Sequence, residues 1–311
     1  MTRVAVLAGG RSPEREVSLR SGHRVANALR TRDHDVVLID PSDGPFVETL
    51  STASVSVCFI ALHGKEGEDG TVQRLLELLD IPYTGTRPGP CERAFDKVLA
   101  KEALDAAGIG TPDWAAVQVA ALRDLAAGPI LHRIVGHLGL PLVVKPSRAG
   151  SAMGLSFIER EADLPHAVMS ALSFSDAAIV ERRIDGPEVA AGIVAAIEDL
   201  PLVEVVAKDG IFDYAARYTA GSTEYFAPAR LEPEVAEACR QEAARAFEAL
   251  DLRDVARMDL MVDADGRPWV VDVNTSPGMT DMSLLPMAAQ AGGIEFDELC
   301  ERILGLATQR G

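Results

Sequence analysis

Apolar residues in the first third of the chain fall in short continuous runs, Val4–Ala8, Val36–Ile39 and Val55–Leu62, separated by stretches with helical spacing. Uninterrupted Val/Ile/Leu runs alternating with amphipathic helices predict a parallel sheet covered by helices. Ser12 and Pro13 suit the N-cap and first position of a helix that continues to about Arg30. Helices are also predicted over Thr71–Leu79 and Ala94–Ala107, the second ending at Gly108. The middle third carries strand-like segments at Trp114–Val119, Leu142–Lys145 and Ala178–Glu181, with helices over Ile130–Leu138 and Leu164–Ser173 between them. From Glu188 the pattern changes. Val189–Ile197, Leu202–Val206 and Tyr225–Phe226 resemble antiparallel strands. A helix over Glu234–Leu250 aligns Val235, Cys239, Ala243, Ala246, Phe247 and Leu250 on one face. Strands Val255–Val262 and Trp269–Val273 follow, joined at Asp263-Ala264-Asp265-Gly266, and helices close the chain. The predicted class is α/β with α+β elements.

Composition narrows the function more than the fold. No apolar run approaches the ~20 residues that span a bilayer, so no membrane segment is expected. The opening run is too short for a secretory leader. The balance of 47 acidic against 30 basic residues leaves −17, which opposes binding to a nucleic-acid backbone. It leaves room for a nucleotide held by a few local donors. Cys58, Cys91, Cys239 and Cys300 are scattered, as expected of core thiols in a reducing cytoplasm.

Four stretches carry candidate chemistry. In Lys145-Pro146-Ser147-Arg148-Ala149-Gly150-Ser151-Ala152-Met153-Gly154 a lysine ends an apolar strand and a loop of small residues follows. Such a loop lets backbone N–H groups close over phosphate oxygens. Taken alone it reads more readily as a strand end running into a flexible surface loop, and it is not the GxxxxGK[ST] phosphate loop. Asp259 and the pair Asp272, Asn274 lie on adjacent predicted strands; 272 and 274 share a face by the two-residue period. Two carboxylates and an amide oxygen are hard donors suited to Mg²⁺ beside phosphates, or solvated hairpin edges. Asn274-Thr275-Ser276-Pro277-Gly278-Met279-Thr280 turns tightly at Gly278, either as an ordinary Pro-Gly turn or with the glycine N–H offered to a reacting oxygen. Glu14 at a helix start and His63 after a strand occupy positions where acids and histidines are often unremarkable. His63 also follows a predicted parallel strand, at whose carboxyl end ligands collect.

The order of these features is more specific than any one of them. Gly-Gly with Ser-x-Glu-Arg-Glu-Val-Ser, Leu-His-Gly with Gly-Glu-Asp-Gly, Asp96-Lys97, Lys-Pro-Ser-Arg-x-Gly-Ser, Gly186-Pro187-Glu188, Arg257-x-Asp259 and Asn-Thr-Ser-Pro-Gly-Met-Thr follow one another along nearly the whole chain. In this the sequence resembles the D-alanine–D-alanine ligase family. The resemblance implies an ATP-grasp fold: an N-terminal parallel α/β domain over 1–93, a central ATP-binding subdomain over 94–186 and a C-terminal ATP-grasp subdomain over 187–311. It implies a cytoplasmic homodimer acting on ATP and D-alanine with two Mg²⁺ (or Mn²⁺), for peptidoglycan synthesis. It assigns Lys97, Lys145, Glu181, Arg182, Ile184, Glu188 and Arg217 to ATP, and Asp259, Asp272 and Asn274 to the metals. Arg257 and the Gly278 N–H are assigned to the oxyanion, Glu14 to the ammonium of the first amino acid, and Glu14, Ser151 and Tyr218 to a triad around the substrates. His63, Ser283 and Leu284 are expected to contact amino-acid substrate, the last two at the second carboxylate.

Four positions depart from the family's usual residues: Asp272 stands for glutamate, Arg182 and Arg217 for lysine, and Ala152 for serine. A ligase with another second substrate is the nearest rival, but members that form depsipeptides alter the loop that here keeps Tyr218. A nucleotide-binding protein without turnover is a second rival. A dinucleotide oxidoreductase ranks last, because Gly9-Gly10 lacks the full G-x-G-x-x-G.

Overall fold

A computed structural model describes residues 2–207 and 222–310, so Arg217 and Tyr218 lie outside the described residues. The apolar runs of the first third form a parallel sheet in which β1 (Arg3–Leu7) lies between β2 (Asp35–Ile39) and β3 (Val57–Ile60). Leu7 is level with both Ile39 and Ile60. The Gly9-Gly10 and His63-Gly64 loops therefore leave the sheet at the same carboxyl edge, where a parallel sheet opens its crevice.

The first helix begins later than its capping signal suggests. It spans Arg15–Thr31. Ser12 is occupied elsewhere: its hydroxyl donates to the His63 carbonyl (2.8 Å) and accepts the Glu14 N–H (3.2 Å). The predicted helix over Ala94–Ala107 is Lys97–Ala106, and a separate helix, Pro88–Phe95, which the sequence pattern did not reveal, ends just before it. Asp96 separates the two by adopting an extended conformation, and its side chain caps the second helix at the Val98 N–H.

Two antiparallel sheets follow. One has the order β4 (Trp114–Gln118), β7 (Ala177–Arg182), β5 (Leu142–Pro146), β6 (Ser156–Ile158). The other has the order β10 (Thr223–Phe226), β9 (Val203–Ala207), β8 (Glu188–Val194), β11 (Val255–Val262), β12 (Pro268–Asn274). The helix Pro233–Ala249 buries Cys239, Ala243 and Ala246 against β8, β11 and β12, as its apolar stripe requires. The closing helices, Leu284–Ala291 and Phe296–Thr308, share one core with β1, β3 and the helix Arg15–Thr31. That packing brings the 276–284 loop against the carboxyl edge of the parallel sheet. All four cysteines are buried free thiols, and among the described residues no helix is long and apolar enough to cross a membrane.

Candidate functional site

The β11–β12 pairing assembles four polar side chains on one face. Asp259 is opposite Asp272, and Arg257 is opposite Asn274 two residues along. Directly opposed carboxylates repel unless cations lie between them. Here Arg257 holds Asp259 through both oxygens (2.6 and 2.8 Å), and the Lys97 ammonium lies 3.1 Å from Asp272. Burial alone would lower the Arg257 pKa, but the carboxylates of Asp259 and Asp272 outweigh it and keep the guanidinium charged. Below this group the register slips by one residue at Asp259/Leu260, leaving Val271 as a bulge. The carbonyl of Val271 accepts from Lys145 (3.2 Å).

A cavity lies between the two antiparallel sheets. Val143, Leu155, Phe157, Met261 and Val271 make an apolar slot, flanked by Lys97, Lys145, Glu181, Arg182, Ile184 and Glu188, with Asp259 and Asp272 at its floor. Glu181 is buried between two lysines: Lys145 pairs with one carboxylate oxygen and Lys101 with the other (2.9 Å). Burial would raise the Glu181 pKa, but the two ammonium groups hold it below the usual glutamate range. The 147–154 loop is fastened at one end by Asp96, which accepts from the Ser147 hydroxyl (2.5 Å) and Arg148 (2.7 Å). Lys97 also donates to the Ala149 carbonyl (3.0 Å).

A second cavity opens between the helix Arg15–Thr31, the Leu62–His63 turn and the 278–284 loop. Glu14, His63, Glu68, Arg257, Gly278, Ser283 and Leu284 all line it. Lys97, Ala149 and Asp272 line both cavities, so the two meet there. Glu14 is only 6% exposed and its Oε1 has no hydrogen-bond partner. Its carboxylate is enclosed by glycines: a Cβ on Gly64 would come within 2.4 Å of Oε2, and one on Gly150 within 2.6 Å of Oε1. A buried carboxylate oxygen without a donor is costly, so this cradle suits a cationic ligand.

The Gly278 end of this cavity is equally tight. A Cβ on Gly278 would lie 2.6 Å from the Ser283 hydroxyl, which itself accepts the Thr280 N–H (3.0 Å). Leu284 opens the helix Leu284–Ala291, where first-turn N–H groups have no partner within the helix. His63 is engaged with the protein: Nδ1 lies 3.0 Å from the Ser276 carbonyl and Nε2 2.8 Å from the Ser21 hydroxyl. Burial lowers its pKa to about 4. The ring is therefore neutral, with Nδ1–H donating and Nε2 accepting from Ser21. Ser21 also accepts the Met279 N–H (3.1 Å), so His63 braces the turn beside Gly278.

The structure thus gathers Glu14, His63, Ser151, Arg257, Gly278, Ser283 and Leu284 around one cavity and Lys97, Lys145, Glu181, Arg182, Ile184, Glu188, Asp259 and Asp272 around the other. Asn274 lines the amino-acid side, where its Oδ1 accepts the Ser276 N–H (3.0 Å). Three residues were not singled out from sequence. Glu68 and Asp96 lay inside motifs already noted; Lys101 had only its helical spacing from Lys97 as a signal, with no partner visible along the chain.

Two antiparallel sheets closing on a nucleotide-sized slot, with facing acids at its floor, are the ATP-grasp arrangement. Comparison with known proteins specifies it further. Residues 103–305 match the model described as D-ala D-ala ligase C-terminus, and residues 46–86 match D-ala D-ala ligase N-terminus. The D-alanine–D-alanine ligase of Syntrophotalea carbinolica is 44% identical, covering 99% of this chain and 97% of its own. That of Pelotomaculum thermopropionicum is 42% identical over the same shares. The crystal structure of D-alanine–D-alanine ligase from Bacillus anthracis complexed with ATP superposes with a TM-score of 0.85 at 30% identity, covering 100% of this chain and 98% of that one. The VanG D-Ala:D-Ser ligase of Enterococcus faecalis gives 0.84 at 28% identity, covering 98% of this chain and 99% of that one. The chain belongs to the D-alanine–D-alanine ligase family.

Proposed function

We propose that this protein joins two D-alanines at the expense of ATP. One observation carries the reading: a buried, unpartnered Glu14 oxygen in a cavity that meets the nucleotide cavity at Lys97, Ala149 and Asp272. An amino acid anchored by its ammonium on Glu14 then directs its carboxylate toward that junction. The γ-phosphoryl group of ATP passes to the carboxylate, giving an acyl phosphate and ADP. The amine of the second D-alanine attacks the acyl carbon, and the tetrahedral intermediate expels phosphate to leave the peptide bond. Arg257 and the Gly278 N–H stabilise the oxyanion that forms there, a task in which preorganised donors dominate. Ser283 and the Leu284 N–H receive the second carboxylate, and Glu14, Ser151 and Tyr218 form a triad beside the substrates.

On the nucleotide side, Glu181 and the Ile184 backbone meet the adenine, Glu188 the ribose, and Lys97, Lys145 and Arg217 the phosphates, with Arg182 at the cavity wall. The donor set of Asp259, Asp272 and Asn274 fits two Mg²⁺: the opposed carboxylates need cations between them, and Arg257 and Lys97 supply that charge in the protein alone. When bound, Mg²⁺ offsets the charge of the transferring phosphoryl group. The three units proposed are 1–93, 94–186 and 187–311. Incubation with ATP, Mg²⁺ and D-alanine should yield a dipeptide by mass and one phosphate for each bond formed. Turnover with D-lactate or D-serine but not with a second D-alanine would overturn the substrate assignment.

A further inference from the structure

The two lysines that flank Glu181 are placed for different tasks. Lys145 lines the nucleotide cavity. Lys101 lies behind it, 5% exposed; its ammonium is ion-paired with Glu181 Oε2 (2.9 Å) and donates to the Thr111 hydroxyl (2.6 Å) and the Pro112 carbonyl (3.4 Å). Thr111 in turn donates to the Val270 carbonyl of β12 (2.9 Å). Lys101 therefore ties Glu181 on β7 to the strand that bears Asp272, and it lines neither cavity.

Resting on the assignment of Glu181 to the adenine, we propose that Lys101 is a positioning residue that sets base selection. When Lys145 turns to the phosphates, Lys101 is the cation that stays with Glu181 and keeps it an oriented carboxylate. A carboxylate only accepts hydrogen bonds. It welcomes the 6-amino group of adenine and repels the 6-oxo group of hypoxanthine. Without Lys101, a buried Glu181 deserted by Lys145 takes up a proton, and a carboxylic acid serves either base: its carbonyl oxygen accepts from the 6-amino group and its O–H donates to the 6-oxo group.

The test is the binding of Mg-ATP and Mg-ITP by calorimetry, with KM and kcat for each, in the wild type and in Lys101→Met, Lys101→Arg, Thr111→Val and Glu181→Gln. Lys101→Met should weaken ATP binding about tenfold or more, the size of a lost charged hydrogen bond, with kcat little changed. Its preference for ATP over ITP should fall in parallel, and Lys101→Arg should restore most of it. Thr111→Val should move both quantities the same way by less, and it carries the test if Lys101→Met does not fold. An unchanged ATP/ITP ratio in the folded Lys101→Met protein, or in Thr111→Val where that protein must substitute, overturns the proposal. If Glu181→Gln alters the ratio in that case, the adenine assignment of Glu181 stands without Lys101; if it does not, that assignment falls as well.

Discussion

The two cavities treat charge in opposite ways. On the nucleotide side the buried charges are ion-paired within the protein, Lys145 and Lys101 with Glu181, Lys97 with Asp272 and Arg257 with Asp259, although Glu181 Oε2 accepts no hydrogen bond. On the amino-acid side Glu14 keeps an oxygen without a donor, held open by Gly64 and Gly150. A polyphosphate with its metals brings many charges of both signs, and a site of exchangeable pairs accommodates them without stranding a buried ion beforehand. A single ammonium brings one charge, and one buried carboxylate suffices to recognise it. The nucleotide site should therefore tolerate changes of side-chain length, such as Asp272 for the family's usual glutamate, better than the amino-acid site tolerates loss of a group.

The sharpest break in this comparison is at Arg257, which lines the amino-acid cavity while pairing with a nucleotide-side acid. Arg257→Ala should lower kcat by roughly 10²–10³, as removal of an oxyanion donor does. Turnover near normal in steady-state assays would refute the role. Glu14→Gln comes next. It should lower kcat/KM for D-alanine by roughly 10–100-fold, the size of a lost hydrogen bond to a charged group, and leave ATP binding unchanged. An equal loss in ATP affinity would show that the cavities are not chemically separate.

Glu68 supplies a pH test. Burial raises its pKa from 4.5 to about 8, with the Gly64 N–H opposing and the charges of Glu14 and Asp272 adding to it. Between these values the folded protein holds a proton that the unfolded chain has lost, so Glu68 favours folding at low pH and the contribution fades as pH rises toward 8. His63 acts in the other direction: with its pKa lowered from 6.5 to about 4, its contribution is complete above 6.5 and is lost below. Thermal melts of metal-free and nucleotide-free Glu68→Gln against wild type cancel the histidine. The variant should gain relative to wild type as pH rises from about 5 to about 8.5. A constant difference would mean that Glu68 is ionised throughout.

The smallest effect is expected at Asp272→Glu. It should shift the Mg²⁺ concentration for half-maximal rate by about twofold to threefold, well under 1 kcal/mol. An unchanged Mg²⁺ dependence would show that the shorter side chain is fully compensated.

Local pattern carried most of the elements. Period-two and period-3.6 signals marked the longer strands and helices, because in each a continuous face is buried. The helices Phe46–Ala53 and Val119–Leu125 and the three-residue strand Ser156–Ile158 escaped notice, being short or weakly patterned. The break at Asp96 was hidden because helical spacing continues through it; only in the folded chain does its carboxylate meet Ser147 and Arg148.

By itself the sequence determined which chemistry is available: a lysine before a small-residue loop, an acid and an amide at two-residue spacing, a glycine turn after Asn274, and motifs in an order that points to one family. Only the tertiary structure decided which charges meet. The register of β11 on β12 set Asp259 against Asp272, and the packing of the closing helices on the parallel sheet brought Gly278 to Glu14 and His63. Ion pairing and burial are properties of residues far apart along the chain. The pairing of Lys101 with Glu181, the neutral state of His63 and the unfilled oxygen of Glu14 exist only once the chain has closed around them.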